Sequence, residues 1–114
     1  MQVLFDNGVP RGVASVLKEH GVEEARGRGW DRLSNGDLLR AAEVAGFEVL
    51  LTTDGNIRHQ QNLSKRVIAI VALTRAAWPL IKTRLPEIAD AVAAATPGSY
   101  AEVEIPFDSD LEGG

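Results

Sequence analysis

The chain has 114 residues, a net charge of −4 and no cysteine, and 45% of its residues are hydrophobic. This length predicts a single domain with a core of its own. The missing cysteine excludes disulfides and thiolate metal sites and favours a reducing, cytoplasmic setting. No stretch approaches the roughly 18 apolar residues of a membrane span, and the acidic start is not typical of a signal peptide. We therefore expect no membrane partner.

The charge is unevenly distributed along the chain. All twelve Lys and Arg precede residue 85, together with nine of the sixteen Asp and Glu, so residues 1–84 carry a net charge of +3. The remaining residues hold seven acids and no base. A mildly basic body is compatible with binding a phosphate backbone, although a solvated surface with an acidic tail explains the same pattern.

The apolar pattern predicts strands that alternate with helices. In chain order we expect a strand at 2–5, a helix at 10–19, a strand at 22–25, a helix from Ser34 or Asn35 to about Ala45, a strand at 47–52, a helical turn at 57–63, a strand at 66–73, a helix from Trp78 to about Ala95 that Pro86 kinks or splits, and an edge strand at 99–105. Strands separated by helices pair in parallel through right-handed crossovers. The sequence therefore predicts a three-layer α/β fold of about five mostly parallel strands in residues 1–106, followed by an acidic, disordered tail at 107–114.

Acidic residues follow two of the predicted strands. Asp6 comes directly after the strand at 2–5, and Asp54 follows the strand at 47–52. The carboxyl ends of parallel strands line one crevice, so we expect these carboxylates to lie close together, although each alone also fits a turn or cap. Asp37, in the first turn of its helix, is a third candidate, and an acid there also complements the helix dipole.

Oxygen ligands of this kind select hard cations such as Mg²⁺ or Mn²⁺. Asn56 would add a neutral oxygen ligand to the three aspartates. A bound cation lowers the pKa of a water molecule and stabilises charge on a scissile phosphate, so the pattern predicts metal-assisted phosphodiester hydrolysis. Four polar residues near the same rim are candidates for binding substrate, although each alone also fits an ordinary surface position. They are Asn7, Arg58, Gln61 and Arg75.

Three segments make the chain resemble the PIN-like proteins of the DUF5615 and Mut7-C type. They are the strand end at 4–7, the helix start at 35–39 and the T-x-D signature within 50–57. The resemblance covers roughly residues 1–75. It implies a Rossmann-like PIN fold, an acidic pocket for Mg²⁺ or Mn²⁺, and endoribonuclease activity on RNA, commonly as the toxin of a toxin–antitoxin pair.

The resemblance also implies roles for individual residues. By position, Asp6, Asp37 and Asp54 form the catalytic acidic triad, an antitoxin protein is a partner, and homodimers are common. The chain departs from the family pattern at Asn56, where a fourth acid is often found. It also departs at Asp37, where the longer Glu is more common.

Two other interpretations stay open. A PIN-like fold that no longer cleaves would act as a binding module for metal or RNA. A receiver-like phospho-switch fits the length of the chain, Asp54 after the third predicted strand and Thr74 after the fourth. Against the phospho-switch, Asp6 stands alone after the first strand, and no lysine follows Lys82.

Overall fold

The computed structural model describes residues 1–57 and 65–106. Within these ranges five strands form one sheet: β1 Gln2–Phe5, β2 Gly21–Glu24, β3 Val49–Thr52, β4 Ala69–Leu73 and β5 Tyr100–Val103. The α-helices there are α1 Asn35–Val44, α2 Trp78–Ile81 and α3 Leu85–Ala93, with 3₁₀ helices at Arg11–Val16, Arg26–Arg28 and Lys82–Arg84. The tail at 107–114 and nearly all of the helical turn predicted at 57–63 lie outside the described residues.

All four strand pairings of the sheet are parallel, in the order β2-β1-β3-β4-β5. Side chains alternate along β3, so that Val49 and Leu51 join one core cluster while Leu50 joins the other. The first cluster includes residues of the 3₁₀ helix Arg11–Val16 and of α3, and the second includes residues of α1. Burial on both faces is typical of parallel sheets. The predicted three-layer α/β fold is therefore confirmed, and β5 lies at the sheet edge, as expected.

One helical prediction differs from the structure, and a second is confirmed. The helix expected at 10–19 is a six-residue 3₁₀ helix, since Gly12 and two β-branched valines disfavour a regular α-helix. The long helix after Trp78 is split, as predicted, by a 3₁₀ turn, and Pro86 lies in the first turn of α3. Proline is tolerated there because the first N–H groups of a helix have no intrahelical partner. Among the described helices, none has the length and apolar character of a membrane span.

Candidate active site at the carboxyl edge of the sheet

The strand order places a crevice between β1 and β3. β2 lies on one side of β1 and β3 on the other, so the connections after β1 and β2 cross the sheet in opposite directions. Ligands of open α/β sheets bind at such a switch point, outside the carboxyl ends of the strands. The backbone N–H of Asp6 donates to the carbonyl of Leu51 at 2.9 Å and continues the parallel ladder past β1. Asp6 therefore lies at the mouth of the crevice.

A buried threonine connects the two strand ends. Thr52, the last residue of β3, has a relative exposure of 0%. Its hydroxyl donates to Oδ2 of Asp6 at 2.8 Å and accepts from the backbone N–H of Asp54 at 3.1 Å. A buried hydroxyl needs such partners, because leaving it unpaired costs about 1–3 kcal/mol. Thr52 thus links the carboxylate of Asp6 to the backbone of Asp54, and the structure places these two predicted residues beside the same hydroxyl.

Neutral donors hold both carboxylates. Oδ1 of Asp6 accepts from the backbone N–H of Asn7 at 2.8 Å. For Asp54, Oδ1 accepts from the backbone N–H of Asn56 and Oδ2 from the side-chain amide of Asn35, each at 2.9 Å. Neither aspartate forms a salt bridge with a residue in the ranges 1–57 and 65–106. Their negative charge is therefore solvated by dipoles and is not neutralised by a protein cation from these ranges.

Asp37 has a different environment. Its carboxylate pairs with Arg40, one turn later on α1, and its side chain is 52% exposed. Its backbone N–H donates to the N-cap hydroxyl of Ser34 at 3.3 Å. It lies two residues after Asn35 and so occupies the end of α1 nearest the site. Nevertheless, the described part of the chain contains no group of three or more His, Cys, Asp or Glu that could hold a metal ion. The structure does not bring Asp37 into one cluster with Asp6 and Asp54.

The predicted substrate-binding residues have varied positions. The side-chain amide of Asn7 donates to the carbonyl of Asp31 at 2.8 Å. Arg75 follows β4, and its guanidinium donates to the carbonyl of Ile105 at 2.5 Å, which ties it to the segment after β5. Arg58 and Gln61 lie outside the described residues. Asn56, predicted as a ligand, contributes its backbone N–H to Asp54 and is exposed.

Two residues of the site were not predicted as functional from the sequence. Asn35 was expected to act only as a helix cap, but Ser34 is the N-cap and the Asn35 amide turns to Asp54. Thr52 was read as part of an apolar strand. A sequence signal for Thr52 was present, because it is the first residue of the T-x-D signature and the polar residue at the end of the strand predicted at 47–52.

The donor set fits a hard divalent cation. Each carboxylate offers about four lone-pair sites, and two of these are used by described hydrogen bonds in both Asp6 and Asp54. Mg²⁺ usually keeps several waters and binds proteins through one or two carboxylates plus substrate phosphates. Two carboxylates at one crevice meet this requirement without a third acid.

Comparisons of the chain with protein-family models, curated proteins and solved structures give no significant match. The resemblance to PIN-like proteins therefore stays a prediction.

Proposed function

We propose that the protein is a divalent-cation-dependent endoribonuclease, with Asp6 and Asp54 as the residues that hold Mg²⁺ or Mn²⁺. The observation that carries the proposal is the Asp6–Thr52–Asp54 connection at the switch point, where two carboxylates are held by neutral donors. When bound, the cation would supply an activated water and would stabilise charge on a scissile phosphodiester. The basic balance of residues 1–84 supports a polyanionic substrate.

The chain's own residues have separate tasks in this proposal. Asp6 and Asp54 present oxygen ligands, while Thr52 and Asn35 orient them through hydrogen bonds. Orienting partners of this kind commonly change metal affinity or activity by 10–100-fold. Asp37 serves as a third ligand only if its carboxylate exchanges Arg40 for the cation. An antitoxin partner and a homodimer remain predictions from the resemblance.

The test is cleavage of a panel of single-stranded RNA oligonucleotides in Mg²⁺, in Mn²⁺ and in excess chelator. We expect cleavage to need the cation. The rate should fall by about 100-fold or more in Asp6→Asn and Asp54→Asn, because losing a metal ligand costs more activity than losing the residue that orients it. Asp90→Asn is the matched control, because Asp90 is an exposed acid of α3 outside the site. Full activity in Asp6→Asn, or cleavage that survives chelation, would rule the mechanism out.

Asp37→Asn resolves the role of the third acid. A loss comparable to that of Asp6→Asn would assign Asp37 to the cation site, whereas a change below about threefold would restrict the ligands to two. Direct Mn²⁺ titration of the same variants, followed by electron paramagnetic resonance, separates binding from turnover. Cation binding and RNA binding without cleavage would favour the alternative of a binding module.

A phospho-switch is a second candidate, and the strand order favours it. The order β2-β1-β3-β4-β5 is shared with response-regulator receivers, and Asp54 and Thr74 follow β3 and β4. However, the hydroxyl of Thr74 accepts from the backbone N–H of Ile105 at 2.8 Å, and no lysine follows Lys82 in the chain. Incubation with acetyl phosphate should therefore leave the intact mass unchanged. A single phosphate adduct that is lost in Asp54→Asn would favour the switch.

A further inference from the structure

A small cleft adjoins Asp6 on the side of β1 that faces β2. Its volume is about 210 Å³, and Asp6 and Asn7 line it together with the charged side chains of Arg11, Glu24 and Arg26. The strand register explains the arrangement, because Phe5 pairs with Glu24 across the β1–β2 ladder and the backbone N–H of Ala25 donates to the carbonyl of Phe5 at 2.8 Å. Arg26 therefore leaves the sheet beside the residues that follow Phe5. Asp6 belongs both to this cleft and to the proposed cation site.

The two arginines of the cleft have different partners. Nε of Arg11 donates to the two carboxylate oxygens of Glu24 at 3.1 and 3.2 Å, although the Arg11 side chain is 82% exposed. Arg26 is exposed and makes no side-chain hydrogen bond or ion pair with any residue that the structure describes. A guanidinium carries five N–H donors in a planar fork that matches phosphate geometry. The cleft thus holds the Arg26 guanidinium, whose donors bind no described residue, and the Arg11 guanidinium, which is held only by an exposed ion pair.

We propose that this cleft binds an RNA phosphate group next to the scissile one, with Arg26 as its main ligand and Arg11 as the second. This inference rests on the proposed nuclease function and adds a positioning site to it. The volume is below the roughly 300 Å³ at which pockets for drug-sized ligands begin. A phosphate suits the space better than a whole nucleotide. The bound group is either an internal phosphodiester or a terminal 5′-phosphate.

The charge balance of the cleft couples the phosphate to the cation. The four charged side chains that line the cleft, Asp6, Glu24, Arg11 and Arg26, sum to a formal charge of zero, although Asp6 pairs directly with neither arginine. A divalent cation on Asp6 and Asp54 makes the neighbourhood positive and favours an anion. Coupling between two binding sites is reciprocal, so phosphate binding should strengthen cation binding by the same factor. The coupling follows from the position of Asp6 in both sites.

The experiment measures binding of a short, fluorescently labelled 2′-O-methyl RNA by anisotropy, with and without Mn²⁺, and electrophoresis checks that the RNA stays intact. We expect Arg26→Gln to weaken binding in Mn²⁺ about tenfold, the lower end of what a charge-assisted hydrogen bond contributes. Arg26→Lys, which keeps the charge but loses the fork, should recover part of the loss. Arg84→Gln is the matched control, since Arg84 lies in the 3₁₀ turn before α3 and does not line the cleft. Its affinity should equal that of the wild type.

Glu24→Gln is the complementary variant, because it removes a negative charge and weakens the contact that holds Arg11. We expect it to tighten RNA binding about threefold, in keeping with the small strength of an exposed ion pair. The same RNA with a 5′-phosphate or a 5′-hydroxyl, and inorganic phosphate as a competitor, identify the source of the bound group. If Arg26→Gln lowers the affinity only for the RNA with a 5′-phosphate, the cleft binds a terminal phosphate. If Arg26→Gln lowers the affinity equally for both RNAs, the cleft binds an internal phosphodiester.

Any of three results would contradict phosphate binding in the cleft. Arg26→Gln could bind the RNA as tightly as wild type, Glu24→Gln could bind it more weakly than wild type, or wild type could show no measurable RNA binding. The outcome is independent of the cleavage assay. If Asp6→Asn abolishes cleavage while Arg26→Gln leaves binding unchanged, the nuclease stands and the cleft is wrong. If Arg26→Gln weakens binding but wild type cuts none of the RNA panel, the cleft stands and the nuclease is wrong.

Discussion

At the amino edge of the sheet a carboxylate is paired with an arginine, whereas at the carboxyl edge two carboxylates are held by neutral donors. Glu43, near the end of α1, accepts from Arg66 at 2.8 Å and from the backbone N–H groups of Val67 and Ile68 at 2.8 and 3.3 Å. Burial alone would raise the pKa of Glu43, but these hydrogen bonds outweigh it and hold the pKa below its ordinary value of 4.5. The Glu43 network is therefore complete without a ligand.

The larger of the two cavities does not coincide with the candidate active site. A larger cavity of about 460 Å³ lies at the amino edge and is lined by Glu43 and Glu48. Both acids have partners, since Glu48 accepts from the backbone N–H of Gln2 at 3.2 Å. The crevice at the carboxyl edge holds two carboxylates that form no salt bridge with any residue that the structure describes. Glu43 is held by an ion pair and is structural, whereas the carboxylates of Asp6 and Asp54, which accept from neutral donors, are candidates for binding a cation.

The largest effect on stability is expected from breaking the amino-edge network. Glu43→Gln leaves Arg66 without its counter-ion in a place where both side chains are 17% exposed. We expect the free energy of unfolding in urea to fall by about 2 kcal/mol, less than for a fully buried pair because some solvent reaches it. Glu23→Gln, which breaks the exposed pair with Arg28, is the matched control and should leave stability unchanged. Equal losses of unfolding free energy in the two variants would show that the Glu43–Arg66 pair stabilises the fold no more than an exposed pair does.

Removing the bridge at the carboxyl edge should have a smaller effect on folding. Thr52→Val keeps the volume of a buried residue but deletes the hydroxyl that connects Asp6 to Asp54. We expect a loss of about 1 kcal/mol in urea unfolding and a loss of about tenfold in Mn²⁺ affinity. Thr96→Val at an exposed position should change neither quantity. Unaltered Mn²⁺ affinity in Thr52→Val would show that the two aspartates are positioned by other groups.

Acid pH should remove the contribution of Glu43 gradually. Its folded pKa lies below the unfolded value of 4.5, so the stability that it provides is fully present above that value. This stability is lost as the pH falls through the lower folded pKa. The difference in unfolding free energy between wild type and Glu43→Gln should therefore be constant near neutral pH and shrink in acid. Urea titrations between neutral pH and about pH 3 test this, and a difference independent of pH would refute the assignment.

The smallest effect on folding is expected at Asp6 itself. Asn keeps an oxygen that can accept from the Thr52 hydroxyl, and no described cation loses its partner. We expect Asp6→Asn to change the free energy of unfolding by less than about 1 kcal/mol without divalent cations. Mn²⁺ should raise the melting temperature of wild type but not of this variant. A large loss of stability without cation would mean that Asp6 is structural, like Glu43.

Much of the fold could be predicted from local sequence because the apolar runs are short and well separated. The strand at Gln2–Phe5 was predicted with its observed bounds, and the core of the strand at Ala69–Leu73 was predicted within a longer run. The 3₁₀ form of Arg11–Val16 was not predicted, since periodicity marks the buried side of a helix and not its hydrogen-bond pattern. The pairing of Asp37 with Arg40 had a sequence signal, because opposite charges three residues apart on a helix face each other.

The sequence by itself determined the layered α/β fold and the presence of Asp6 and Asp54 at strand ends, because burial patterns and turn residues act over a few neighbouring positions. Only the tertiary structure decided the distant partners of Glu43 and Asp54. Glu43 meets Arg66 across 23 residues, and Asp54 meets Asn35 across 19. Such contacts depend on how α1 packs against the sheet, and no local pattern in the chain encodes them.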